Sequence, residues 1–168
     1  MQLQQSVPVD DDIVFLEDGE TSTVSSTEPP WVVLVVDDDP EVHEVTRLGL
    51  TGFEFESRPL LFLHAYSATE AECILEERSD IAVILLDVVM ETETAGLDLA
   101  ARIRERLSNH RTRIVIRTGQ ASTLTEVEVL RLYDVNDYRV KNDLTLHKLV
   151  SALLIALRGY RDILNYSG

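Results

Sequence analysis

Along this chain, uninterrupted apolar runs alternate with stretches in which apolar residues recur every three or four positions. Trp31 to Val36 and Ile81 to Leu86 each run six residues without a polar side chain. Runs of that length, rich in β-branched residues, fit strands buried on both faces. Leu60–Tyr66, Arg113–Arg117 and Asp137–Val140 read as three further strands. Helical periods lie between them. Pro40 permits a helix start, and Val42, Val45 and Leu48 make one apolar stripe through about residue 51. Ala71, Ile74 and Leu75 mark a helix over roughly 68–78. Gly96, Leu99, Ala100, Ile103 and Leu107 mark another, a short helix covers 124–132, and a long one runs from about Leu144 to Asn165.

Five strands alternating with five helices predict right-handed βαβ crossovers and a parallel sheet covered on both faces. The fold class expected is α/β: a flavodoxin-like (βα)5, doubly wound, parallel five-stranded sheet in the order 2-1-3-4-5. In such open sheets the functional site lies beyond the carboxyl ends of the strands, beside the point where the strand order reverses.

Charge and composition then set the boundaries. Residues 1–30 carry seven acids and no base, and close on Pro29-Pro30. So little apolar surface cannot offset the entropy of ordering, so an acidic, mostly disordered extension is expected there. Ile13–Leu16 is a short apolar run that either docks on the domain or stays loose. The packed domain is expected over residues 31–165, with 166–168 a tail. The 168 residues carry a formal charge of −15, which argues against direct binding to nucleic acid or to an anionic membrane. A bilayer span needs about 20 apolar residues, far more than the longest run here, so no membrane association is expected. No Lys or Arg precedes Arg47, so the charged start of a secretory signal is missing. The single cysteine, Cys73, excludes an intrachain disulfide and a cysteine-based zinc cage, and its helical position reads as inert. The expectation is a soluble, cytoplasmic protein.

The predicted strand ends carry the chemistry. Asp37, Asp38 and Asp39 follow the first strand and Asp87 the third, while the fourth ends in Thr118-Gly119 and the fifth in Lys141. In a parallel sheet these ends converge on one edge. Taken alone, Asp37–Asp39 also fit an acid cluster at a helix start, where the dipole favours it. Gathered carboxylates repel, so some must hold protons or a cation must bind. Oxygen ligands without imidazole or thiolate suit Mg²⁺ and disfavour zinc or copper. A cation, a lysine and a hydroxyl around one carboxylate can take the oxygens of a phosphoryl group, and the carboxylate can be its nucleophile. Asp87 is the best candidate nucleophile.

The motifs Val35-Val36-Asp37-Asp38-Asp39-Pro40, Ile84-Leu85-Leu86-Asp87-Val88-Val89-Met90, Val115-Ile116-Arg117-Thr118-Gly119 and Asp137-Tyr138-Arg139-Val140-Lys141 resemble, in order and spacing, the CheY-like receiver domains of bacterial two-component response regulators. The resemblance covers residues 31–164. It extends to a subgroup with acidic N-terminal extensions that often precede cyclic-dinucleotide phosphodiesterase, cyclase or kinase domains. It implies that Asp87 accepts a phosphoryl group from a sensor histidine kinase or phosphotransfer protein. It also implies that Asp38, Asp87 and the Val89 backbone carbonyl ligate Mg²⁺, with Asp37 acting largely through water. Lys141 would pair with the phosphoryl group, Thr118 would move to it, and Tyr138 would be the aromatic switch. Gly119 would leave room for the donor. The switched face would signal to an output domain or downstream protein, and such a chain is not an enzyme beyond gaining and losing its own phosphoryl group.

Some features depart from that pattern. Asn142 stands where the family has proline, and a non-proline cis bond costs about 2.5–4 kcal/mol, which puts the placement of Lys141 in question. Residues 51–60 lengthen the connection before the second strand, and Glu91–Ala95 lengthen the loop after Asp87. Two other readings stay open: a degenerate receiver that binds a protein constitutively, and a Mg²⁺-dependent phosphohydrolase with Asp87 as nucleophile. His43, His64, His110 and His147 are scattered and read as structural or exposed. In the last helix Leu146, Val150, Leu153, Leu157, Tyr160 and Leu164 recur at heptad spacing, which fits packing on the sheet better than a coiled-coil seam. Arg131, Asp137, Arg139 and Lys148 lie on the face that receivers use for pairing, so a homodimer through the last two helices and strand is a further expectation.

Overall fold

The structure, a computed structural model, describes residues 28–119 and 124–166. Ile13–Leu16 and most of the acidic extension therefore lie outside the described residues, as do residues 167–168. Element order is β1 (Trp31–Val36), α1 (Pro40–Gly49), β2 (Glu54–Phe55), β3 (Arg58–Ala65), α2 (Ala68–Glu77), β4 (Ile81–Leu86), α3 (Ala95–Glu105), β5 (Arg113–Thr118), α4 (Glu126–Leu132), β6 (Asp137–Val140) and α5 (Leu146–Tyr166). A single 3-10 turn, Lys141–Asp143, joins β6 to α5.

The sheet runs β2-β3-β1-β4-β5-β6. Its last five strands pair in parallel, in the flavodoxin-like order expected. The sixth strand is a correction to the five-stranded expectation. The long connection at 51–60 folds into a hairpin in which β2 pairs antiparallel with β3. Glu56 and Ser57 both take positive φ, at 53° and 58°, the backbone of a tight two-residue hairpin turn. Trp31 Nε1 donates to the Phe55 carbonyl at 3.0 Å, so the short strand is held by an aromatic contact and a buried hydrogen bond. Two residues of pairing left no period for the sequence pattern to reveal.

Alternation along β1 divides the core. Val32, Leu34 and Val36 face the side covered by α2, α3 and α4, and Trp31, Val33 and Val35 face the side covered by α5. β4 is fully buried on both faces, as its unbroken apolar run predicts. In α5 the middle of the heptad stripe packs as expected: Leu153, Leu157 and Tyr160 are buried, while Leu146 and Leu164 are exposed.

The stripe that marks α1 behaves differently. Val45 and Leu48 are 69% and 57% exposed, and the buried side chains of this helix are His43 and Thr46. Its start is fixed by Asp39, whose side chain accepts from the Glu41 amide, with Pro40 at the first helical position. The polar face turns inward because the sheet edge beneath it is itself polar: His43 bonds the Asp37 carbonyl and Thr46 the Arg117 guanidinium.

The loop from β4 to α3 is pinned at Gly96. Its amide donates to the Val88 carbonyl at 2.9 Å, and a Cβ there would lie 1.9 Å from the Asp87 carbonyl oxygen. Only glycine allows helix and loop to approach this closely. Gly96→Ala is expected to destabilise the fold by about 3 kcal/mol or more, because the atoms in the way are backbone. Urea unfolding of the two proteins checks this, and unchanged stability contradicts it.

Candidate functional site

The strand ends do converge. Asp37 follows β1, Asp87 follows β4, Thr118 closes β5, and Lys141 follows β6. Asp37 is fully buried, Asp87 is 4% exposed, and Asp38 faces solvent. Carboxylate oxygens of Asp37, Asp38 and Asp87 lie within 4.8 Å of one another. The Lys141 ammonium sits 2.7 Å from Asp87 Oδ2 and 2.8 Å from Asp37 Oδ2, although Asp37 Oδ2 lacks an aligned hydrogen bond. The other Asp87 oxygen, Oδ1, accepts from the Val88 amide at 2.7 Å and more loosely from Val89 at 3.4 Å. Asp37 Oδ1 accepts from the Asp39 amide at 3.1 Å.

Burial pushes the Asp87 carboxyl above its ordinary value, opposed by the Lys141 pairing. For Lys141, burial pulls the ammonium down, and its contacts with Asp37 and Asp87 more than offset this, leaving it raised. Three clustered carboxylates thus face one ammonium in contact and the Arg117 guanidinium farther off, and excess negative charge remains. That is the condition in which a site favours a cation. The donor set fits Mg²⁺: three carboxylates, no thiolate or imidazole among them, and one member open to water so that coordinated waters fit.

Thr118 is fully buried beside Val140 in the β5–β6 ladder, and Tyr138 pairs with Ile116 two positions earlier. Tyr138 is 8% exposed, so its side chain already lies inward, in the core cluster that includes Val129 of α4. Gly119 is exposed, and among the described residues a Cβ there would touch only the Lys141 stem at 3.8 Å. No peptide bond among the described residues is cis, and Lys141 reaches the carboxylates with a trans bond before Asn142. The longer loop after Asp87 is also accommodated. Glu91 accepts from the Ala68 amide at 2.7 Å and ties that loop to the start of α2.

Two features escaped the sequence reading. His43 and His64, scattered in sequence, meet with Nδ1 atoms 2.8 Å apart, and His43 Nε2 lies 2.7 Å from the Asp37 carbonyl. A carbonyl can only accept, so His43 Nε2–H donates to Asp37, and one proton lies between the two Nδ1 atoms. Burial, and after it the neighbouring His43, pull His64 below its ordinary value, and the pair braces the backbone of Asp37. Arg117 is the second feature. It is buried on the α5 side of β5, where burial pulls its guanidinium below the ordinary value, opposed by the charges of Asp37 and Asp87. A charged residue at a strand position flanked by Ile116 and Thr118 was the available signal.

The response regulator receiver domain family model matches residues 33–153, most of the chain. This chain belongs to that family. The chain is 51% identical over 140 residues to the 3'3'-cGAMP-specific phosphodiesterase 2 of Vibrio cholerae serotype O1, a match that covers 83% of this chain. The chain spans only 27% of that relative's length. Among solved structures, a response regulator receiver domain protein from Clostridium thermocellum superimposes with a TM-score of 0.66 at 21% identity, covering 79% of this chain and 98% of that one. The signal receiver domain of an HD domain-containing protein from Pseudomonas fluorescens Pf-5 gives 0.65 at 21% identity, covering 80% and 99%. These structures share the receiver fold. No helix among the described residues of this receiver is long and apolar enough to cross a membrane.

The raised Asp87 carboxyl has a consequence for stability. Where the folded-state value lies above the unfolded one, the native receiver binds more protons than the unfolded chain, so its stability rises as pH falls through that window. Without divalent cations, Asp87→Asn is therefore expected to stabilise the receiver by about 1 kcal/mol at neutral pH, since it removes one of two buried charges competing for Lys141. The gain should shrink as pH falls through the raised Asp87 value. Thermal unfolding of both proteins across mildly acidic pH checks this; a gain independent of pH contradicts it.

Proposed function

We propose that this receiver accepts a phosphoryl group on Asp87, in a Mg²⁺-dependent reaction, from a phosphohistidine of a sensor histidine kinase or phosphotransfer protein. The observation that carries the reading is the Lys141 ammonium 2.7 Å from Asp87 Oδ2, inside a cluster that also includes Asp37 and Asp38. An Asp87 oxygen attacks phosphorus and forms an acyl phosphate. The P–N bond of the donor breaks, and its electron pair returns to the imidazole, which is protonated from solvent. Lys141 keeps Asp87 ionised for attack and then pairs with the new phosphoryl oxygens. Asp37, Asp38, Asp87 and the Val89 carbonyl would hold Mg²⁺, Asp37 largely through water. The ion supplies positive charge against the phosphoryl oxygens.

After transfer, Thr118 is the hydroxyl placed to donate to a phosphoryl oxygen from the neighbouring strand end. Its movement, with Tyr138 held inward beside it, would shift the face formed by α4, β6 and α5. That face is where we place signalling to an output domain or a second copy of the chain. The V. cholerae relative is named a 3'3'-cGAMP-specific phosphodiesterase, which supports a phosphodiesterase output unit, and we place the protein in the cytoplasm. Val89, two residues after Asp87, offers no group to orient an attacking water. That favours a persistent phosphoryl group and tells against the phosphohydrolase reading.

Acetyl phosphate labelling of wild type and Asp87→Asn tests the assignment. Stoichiometric, Mg²⁺-dependent labelling of wild type and none of the variant is expected. Persistent labelling of Asp87→Asn refutes the assignment.

A further inference from the structure

The strand register puts a third charged side chain in line with the two enclosed acids. Val36 pairs with Leu86, and Leu86 with Ile116, so the residues that follow them, Asp37, Asp87 and Arg117, form one row across three neighbouring strand ends. The ladder continues into that row, since the Asp87 amide donates to the Val36 carbonyl at 2.9 Å. Side chains alternate between faces along a strand, and Val35, Leu85 and Val115, two positions earlier, all lie in the core on the α5 side. The three charged side chains therefore share that face. Arg117 is only 3% exposed, so it belongs to the enclosed edge as much as the acids do.

Its guanidinium is tethered at one point. Nη1 donates to Thr46 Oγ1 at 2.8 Å, and Thr46 in turn donates to the Val42 carbonyl at 2.6 Å, which ties the group beneath α1. Nε and Nη2 are buried and have no hydrogen-bond partner among the described residues. Arg104, the other buried arginine, shows the contrast: its Nε donates to the Asp134 carbonyl at 3.0 Å, and its Nη1 to those of Asn109 at 2.6 Å and Thr112 at 3.0 Å. A structural arginine is saturated in that way. Arg117 is not, and neither is Asp37, whose buried Oδ2 touches the Lys141 ammonium without an aligned hydrogen bond. An acid oxygen and a guanidinium edge, both enclosed and both under-satisfied, thus lie on one face of one row. The charges of Asp37 and Asp87 offset part of the burial that disfavours the Arg117 cation.

Phosphoryl transfer gives this arrangement a use. Lys141 holds Asp37 and Asp87 together in the unmodified protein. When its ammonium turns to the phosphoryl oxygens, Asp37 loses that contact while still fully buried. A buried carboxylate without a nearby cation is strongly disfavoured, so the departure of Lys141 is costly unless another positive charge stays behind. Arg117 stays: it is enclosed, tethered to Thr46, and permanently charged. We propose that Arg117 is a positioning residue, the fixed counter-charge of Asp37, which frees Lys141 to serve the phosphoryl group and restrains how tightly the acid row holds Mg²⁺. Arg117 acts through Asp37 and touches neither ion. The proposal rests on the reading of Asp87 as phosphoacceptor.

The test is calorimetric titration of the full chain with Mg²⁺, and then with beryllofluoride at saturating Mg²⁺, in wild type, Arg117→Met and Arg117→Lys. Losing a buried positive charge favours a bound cation and disfavours a bound anion. Arg117→Met should therefore bind Mg²⁺ at least about fivefold more tightly and beryllofluoride at least about fivefold more weakly. Damage to packing would weaken both, so the opposite signs separate the two causes. Arg117→Lys keeps the charge beside two carboxylates and should return both affinities to within about twofold of wild type. Because Arg117→Met can unsettle the fold, the Arg117 Nε–H NMR signal of wild type is followed as well. It should shift when Mg²⁺ and beryllofluoride are added, as Lys141 leaves Asp37 to it. A wild type that takes up no beryllofluoride refutes the phosphoacceptor reading and this proposal with it. Uptake by wild type with both affinities of Arg117→Met moved the same way or unmoved, no recovery in Arg117→Lys, or an unmoved Nε–H signal overturns the role of Arg117 alone.

Discussion

One ammonium held between two enclosed carboxylates sets the terms for the rest of this receiver. Lys141 reaches Asp37 and Asp87 across the ends of four parallel strands, with 2.8 and 2.7 Å contacts to residues 104 and 54 positions earlier in the chain. Desolvating two acids and one base would be unfavourable unless each found a partner. Here they do so only in part: Asp87 Oδ1 rests on backbone amides, Asp37 Oδ1 on one, and Lys141 is shared. The unbalanced negative charge is what makes the pocket favour a hard cation.

The scaffold holds this imbalance through backbone contacts placed close to the acids. Gly96 lets α3 press against the Asp87 carbonyl, and its amide bonds the next residue's carbonyl. The His43–His64 pair braces Asp37 from the α1 side. Because the site is assembled from strand ends that are themselves buried in hydrocarbon, a change in charge at Asp87 has few soft degrees of freedom to absorb it. In the proposed switch, the neighbouring strand end at Thr118 is the element that responds.

Much of this was legible in the sequence. The unbroken runs at β1 and β4 and the polar residue ending each strand are direct consequences of a parallel sheet covered on both faces, so fold and acid cluster could be read together. What could not be read has definite causes. The β2 hairpin is too short to carry a period, and it is stabilised by the Trp31–Phe55 contact, which depends on tertiary placement. The stripe Val42, Val45, Leu48 has the spacing of a packing face, yet the sheet edge under α1 presents Asp37 and Arg117, so polar His43 and Thr46 turn inward. Asn142 raised a doubt about Lys141 that three-dimensional geometry answers: a trans bond and one 3-10 turn still deliver the ammonium to Asp87.

The most direct test of the shared-ammonium site is a crystal structure of the receiver grown with magnesium and beryllofluoride. The account predicts a fluoroberyllate bonded to the Asp87 carboxylate, in contact with Lys141 Nζ and the Thr118 hydroxyl, with the magnesium among Asp37, Asp38 and Asp87. An acid pocket without either ion, or a fluoroberyllate on another residue while Lys141 still bridges Asp37 and Asp87, contradicts it.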